Sequence, residues 1–193
     1  IDPGSVVLSS IKDTGFIEWY DAPKDGNLLD VNDEFATPPI SRTTYYYIQK
    51  SVPGPLSSVG PKDNTIGAGS YVTTATPSNF ILFDCLKAST LVSVVVYSQQ
   101  SKPRTFQLRD ATDAVLQEQN IQVGTGKQTV NLNFNLPVQS DLKLTILDTE
   151  IPQFYRNTAG VLYPYALQDM ILIKSNGSPT TYPYFYNWTI QDA

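Results

Sequence analysis

The chain has no histidine and a single cysteine, and both shortages narrow its chemistry. Without histidine there is no Ser-His-Asp or Cys-His catalytic array, and the commonest metal ligand is missing. One thiol, Cys85, makes neither an internal disulfide nor a thiolate zinc cluster. It lies beside an apolar run in FILFDCLK, with no cationic or helix-N-terminal setting, and reads as a buried structural thiol. No apolar stretch approaches the roughly 18 residues needed to span a bilayer. The 13 lysines and arginines are scattered singly among 18 acids, giving a net charge of −5. A nucleic-acid phosphate backbone, which needs clustered basic side chains, is therefore not an expected partner. Sustained apolar spacing at i, i+3, i+4 and i+7 is also lacking, so helices are not expected. The chain opens at IDPGSVVL with neither methionine nor signal peptide, as expected of a piece cut from a longer polypeptide.

What is present is a strand former's repertoire. The 193 residues are 41% hydrophobic and 11% aromatic, enough to bury a core of one large or two small domains. Period-two alternation recurs throughout. In TVNLNFNLPV, Val130, Leu132, Phe134 and Leu136 share one face and Asn131, Asn133 and Asn135 the other, the pattern of a half-buried antiparallel strand. TLVSVVVYS is continuously apolar, as a central strand should be. RTFQLRDATDAVLQEQNIQV predicts two strands joined around Asp110 to Ala114, where Asp and Thr supply turn chemistry. DLKLTIL turns Leu142, Leu144 and Ile146 inward, and DMILIKS runs to the Asn176-Gly177 turn. Fourteen prolines punctuate the whole.

Composition changes once. SVPGPLSSVGPKDNTIGAGS (residues 51–70) is rich in Pro, Gly and Ser with little periodicity. This predicts an all-β chain: a small domain over residues 1–54, a linker and leading loop over 55–69, and a larger sandwich over 70–193. In the first segment Trp19-Tyr20-Asp21, a turn at Asp25-Gly26-Asn27, Thr37-Pro38-Pro39 and Thr43-Thr44-Tyr45-Tyr46 follow one another. Their order resembles the short immunoglobulin-like repeats of secreted and surface proteins from Bacteroidetes. The resemblance implies a small immunoglobulin-like β-sandwich acting as a spacer, with Trp19 packed between its sheets.

The second segment carries Asp63-Asn64, Phe83-Asp84, Leu91 to Tyr97, Arg104 to Asp110, Phe154 to Tyr165 and Tyr184 to Ile190. In that order these resemble a β-sandwich module also found in Bacteroidetes extracellular proteins, with the antiparallel jelly-roll architecture of carbohydrate-binding modules. Asn187 stands where an Asp is usual and Thr189 where a Glu is usual, so two carboxylates are missing from any cation site there. The resemblance implies a secreted or outer-surface location, beside other domains of a longer parent chain, and an accessory role in binding, attachment or spacing.

Three kinds of site are weighed. Sugar binding wants flat rings beside amides, hydroxyls or a guanidinium. QFYRNTAGVLYPYALQD supplies Tyr155, Arg156, Asn157, Tyr163 and Tyr165 in a loop, where binding residues tend to lie; the competing reading is that these tyrosines close the sandwich edge. A structural calcium would use Asp63, Asn64 and Asp84, with Asp192 at the other end of the domain; no other cofactor is implied, and no contiguous Asp-rich loop is present. A glycosidase would need two facing carboxylates, and nothing in the sequence locates a pair, so the chain is not expected to be an enzyme. In the last strand, alternation puts Tyr182, Tyr184, Tyr186, Trp188 and Ile190 on the inward face and Phe185, Asn187 and Thr189 on the other, with Tyr182 and Tyr184, near the loop of Tyr163 and Tyr165, kept as candidates for a contact surface. The leading expectation is a non-catalytic extracellular module, adhesive in character, that binds a glycan or another surface component such as a surface protein. The alternative is a structural stalk or filament unit contacting neighbouring copies or a parent enzyme.

Overall fold

Every regular element among the described residues is a β-strand, apart from one 3-10 turn at Asn64–Ile66. The computed structural model describes residues 4–11, 15–75 and 80–192. The chain divides into two units, Ile1–Pro53 and Gly54–Ala193.

The first unit contains β1 (Val7–Ser9), β2 (Phe16–Tyr20), β3 (Leu28–Asp30), β4 (Glu34–Ala36) and β5 (Tyr47–Ser51). β1 pairs with β4, and β2 lies between β3 and β5, all antiparallel. Alternation along β2 sends Ile17 and Trp19 inward to meet Phe35. The Trp19 and Phe35 rings stack at 5.5 Å, Tyr46 closes edge-on to Phe35 at 5.1 Å, and the indole nitrogen donates to the Asn32 carbonyl at 2.8 Å. Trp19 is a core residue, as its place in the sequence implied. The Asp-Gly turn is held by Asp21, whose carboxylate accepts from both the backbone and side-chain nitrogens of Asn27. Gly26 is required there, because a Cβ would lie 2.7 Å from the Ala22 backbone.

The second unit begins with β6 (Leu56–Val59), β7 (Gly69–Tyr71), β8 (Ile81–Cys85) and β9 (Ser89–Ser98). It continues with β10 (Lys102–Arg109), β11 (Val115–Val123), β12 (Gly126–Leu136) and β13 (Gln139–Ile146). Its last elements are β14 (Tyr155–Asn157), β15 (Tyr165–Leu167), β16 (Ile171–Lys174), β17 (Tyr182–Pro183) and β18 (Tyr186–Asp192). One sheet runs β11-β10-β13-β8-β16-β15 and a second runs β12-β9-β18-β6, with every neighbour antiparallel. The chain switches sheet between β8 and β9, between β9 and β10, and on either side of β12, the jelly-roll habit of strand exchange.

Alternating residues fill the space between the sheets: Phe83, Leu91, Phe106, Leu108, Leu144 and Ile173 are all fully buried. β12 behaves as its sequence requires, with Val130, Leu132, Phe134 and Leu136 buried and the three asparagines exposed. Cys85 is buried, and that burial pushes its thiol above its ordinary value.

The stretch over residues 55–69 is not a linker along its length. Leu56–Val59 forms the edge strand beside β18, and Asn64–Ile66 is a turn capped by the Asp63 carboxylate. Its prolines and glycines hid a four-residue strand whose partner lies at the far end of the sequence.

Candidate functional site

β9 runs the length of the second unit. Ser89 pairs with Asp192 at one end, and Ser98 bridges to Phe154 at the other, a span of roughly 30 Å at strand rise. β6 lies antiparallel to β18 with Leu56 opposite Gln191, and the Gln191 amide donates to the Gly54 carbonyl at 3.3 Å. The chain therefore enters and leaves this unit at the same end. A Cβ on Gly54 would lie 2.5 Å from the Asp192 carbonyl oxygen, so only glycine fits at that junction. The opposite end carries a small third sheet, β17-β14-β7, with Tyr155 opposite Tyr71, Arg156 opposite Ser70 and Asn157 opposite Gly69.

The structure brings the sugar-site candidates to this end and turns several of them inward. Asn157 is fully buried; its amide donates to the Asn64 carbonyl at 3.1 Å and the Gly67 carbonyl at 2.8 Å, and its oxygen accepts from Tyr186. Tyr163 is half-buried, stacks on Tyr182 at 5.9 Å and donates to the Thr181 carbonyl. Burial, with Tyr165 adding to it, holds its phenol well above the usual value. Tyr165 stands edge-on to both Tyr163 and Tyr182, and its hydroxyl accepts from the Leu162 backbone. Arg156 is half-buried within β14.

Tyr182 and Tyr184, on the inward face of the alternation and candidates for a contact surface, are buried at 0% and 1% exposure, and Phe185, expected outward, is buried as well. The cause is local. Tyr184 adopts φ 54°, and the Phe185 amide bonds back to the Pro183 carbonyl at 2.7 Å, a γ-turn-like reversal. This reversal separates β17 from β18 and breaks the alternation, so neighbouring rings both point inward. Asn187, at φ 43°, adds a bulge between Tyr186 and Thr189.

Tyr71 and Tyr155 lie on the outer side of the small third sheet. Tyr71 is 38% exposed and meets the half-buried Tyr155 edge-on at 5.4 Å. Leu162, 79% exposed, projects from the loop before β15. Tyr71 was missed because only the register of β7 against β14 makes it a partner of Tyr155.

Close packing of backbone against backbone fixes this end. A Cβ on Gly67 would lie 2.3 Å from the Ala159 carbonyl oxygen, and one on Gly160 would lie 1.8 Å from that of Ile66. Behind the rings, Arg104 is fully buried under Phe154, 5.4 Å from its ring centre. It donates to the carbonyls of Pro152, Lys102 and Pro103 and to Gln153. Burial lowers the guanidinium's affinity for its proton, and Glu150 opposes that change.

The calcium candidates are engaged otherwise. Asp63 accepts from the backbone and hydroxyl of Thr65, which holds its carboxyl below its ordinary value. The Asn64 carbonyl is taken by Asn157. Asp84 accepts from Lys174 at 2.6 Å and from the Asp141 amide, while Asp192 pairs with Lys87. Among the described residues no three His, Cys, Asp or Glu side chains gather around a point that would hold a metal ion. What this end shows to solvent is part of the Tyr71 ring, set edge-on against the half-buried Tyr155.

No curated protein and no solved structure gives a significant match to the chain. Residues 2–55 match the family model described as the Ig-like domain, CHU_C associated, and the first unit is an immunoglobulin-like domain of that kind.

Proposed function

We propose that the chain is a non-catalytic accessory piece of an extracellular Bacteroidetes-type protein, whose second unit displays its tyrosine-rich end to bind a glycan or another surface component. The CHU_C-associated immunoglobulin-like domain supports the extracellular setting, and such all-β domains are typically non-catalytic. No helix among the described residues is long and apolar enough to cross a membrane. The observation that carries the reading is the pairing of β6 with β18: Gly54 and Asp192 lie together at one end of the second unit, and the tyrosine-rich end is the opposite one. At that end the Tyr71–Tyr155 pair presents ring surface beside hydroxyls and backbone, the combination that sugar rings recognise.

An affinity-gel screen of the chain against a panel of polysaccharides tests this. Retardation by one polysaccharide, lost in Tyr71→Ala and Tyr155→Ala but kept in a β12-face variant such as Asn131→Ala, is the expected result. Retardation that survives both tyrosine substitutions, or none on any polysaccharide or on intact cell surfaces, overturns it. A second reading, a structural unit that contacts neighbouring copies, is favoured by the open edge of β11.

A further inference from the structure

The two sheets of the second unit end in strands of very different kinds. At one flank the edges are short: β6 has four residues and β15 has three. At the other flank β12 is long but guarded. The Gln117 side chain donates to the Asn135 carbonyl and accepts from the Asn135 amide, occupying the backbone as a neighbouring strand would. Asn133 adds a bulge at φ 49° in the same strand. β11 has neither device over most of its length. After one irregularity near Leu116, its register with β10 runs unbroken from Gln117 to Val123. That stretch, QEQNIQV, has no proline, lysine or arginine, and among the described residues nothing pairs with its outer edge. Natural sheets blunt such edges with charge, proline, bulges or cover, because open backbone groups template pairing with another strand.

We infer that Gln117–Val123 is a self-association edge that pairs antiparallel with the same segment of a second copy, joining the two six-stranded sheets into one. The segment's own side chains select that occupant. Pairing about a two-fold axis through Asn120 sets Glu118 opposite Gln122 of the other copy and Gln119 opposite Ile121. Each carboxylate then meets a neutral amide, and the two carboxylates lie four residues apart along the ladder, roughly 13 Å at strand rise. Side chains of equal parity meet, so the face of β11 that continues the Phe106 and Leu108 face of β10 stays continuous across the joint. Seven paired residues supply about six to eight backbone hydrogen bonds, whichever parity of β11 faces outward. The net charge of −5 on each chain opposes association, so the dimer strengthens with added salt. This inference rests on the strand edge alone and is independent of the glycan reading.

Sedimentation velocity of the whole chain across a concentration series tests it, with Asn120 as the probe because it is exposed and lies on the proposed axis. The expected result is a monomer–dimer equilibrium. Asn120→Lys and Asn120→Asp, each placing like charges face to face on the axis, weaken it about tenfold or more. An equimolar mixture of the two variants restores dimerisation as a heterodimer. Unchanged circular dichroism shows that the variants fold. A chain that stays monomeric at every concentration and salt overturns the inference. So does a dimer that neither substitution weakens, or one that the mixture fails to restore.

Discussion

Tyr186 donates its phenolic proton to the amide oxygen of Asn157 across 2.7 Å, and both side chains are wholly buried. Through this bond β18, β14 and the turn at Asn64–Ile66 share one polar knot, since the Asn157 amide nitrogen also holds the Asn64 and Gly67 carbonyls. Buried polar groups in such a knot are satisfied together or left costly together.

Asn157→Ala should therefore destabilise the second unit by about 2–3 kcal/mol, because it strands the Tyr186 hydroxyl and two carbonyls. Tyr186→Phe removes one donor and should cost about 1 kcal/mol. Urea unfolding of both variants checks the order; equal costs would mean that the amide nitrogen's bonds are immaterial.

Gly160 and Gly126 separate backbone freedom from backbone proximity. Both sit near φ +75° to +79°, but a Cβ meets the Ile66 carbonyl oxygen at 1.8 Å in the first case and nothing within 4 Å in the second. Gly126→Ala should cost about 1–2 kcal/mol, the left-handed penalty alone. Gly160→Ala should cost about 3 kcal/mol or more, since backbone must move to admit the methyl group. Thermal melts showing the two variants alike would contradict the tight seating of residues 66–67 against 159–160.

Alkali should unfold the second unit. Burial holds the phenols of Tyr163, Tyr182 and Tyr186 above their ordinary value near 10. A raised folded value means that stability is complete below the unfolded value and is lost as pH rises past it, because only the unfolded state ionises there. Tyrosinate absorbance from these rings should thus appear together with the loss of circular dichroism above about pH 10. Tyr163→Phe should make that loss less steep; tyrosinate signal from all tyrosines before any unfolding would contradict the burial.

Much of this fold was legible in the sequence. β12 announced itself because its asparagines and hydrophobics alternate without exception, and the turn at Asp110 because its carboxylate accepts from Thr112 and Ala114. Trp19 was placed in the core by the resemblance of its segment to immunoglobulin-like repeats. β6 was not legible, since its stability comes from β18 and not from its own pattern. Nor was the burial of Phe185: the reversal at Tyr184, a residue at positive φ, turns Phe185 inward beside its neighbours, and nothing in TYPYFYNW marks which ring takes that conformation. The candidate site suffered most from this. Its tyrosines lie at one end of the unit, but their facing depends on one reversal and on the register of β7 with β14.

Force applied through the ends of the second unit loads β6 and β18 at one end of their ladder, so bonds break in succession and not together. Attachment at Gly126 and Asp192, on outer and inner strands at opposite ends of the four-stranded sheet, loads the ladders in shear. Single-molecule pulling should unfold the unit at clearly lower force through residues 54 and 192 than through 126 and 192; equal forces would contradict the side-by-side ends.

The most direct test of a unit whose two ends lie side by side is the distance between them. Spin labels at Leu56→Cys and Gln191→Cys report it, because these positions are antiparallel partners and the native Cys85 is buried. Partnered Cα atoms about 5 Å apart predict strong short-range coupling between the labels. A separation on the order of 30 Å, as a unit threaded end to end would give, contradicts the arrangement and the reading of the tyrosine-rich end proposed from it.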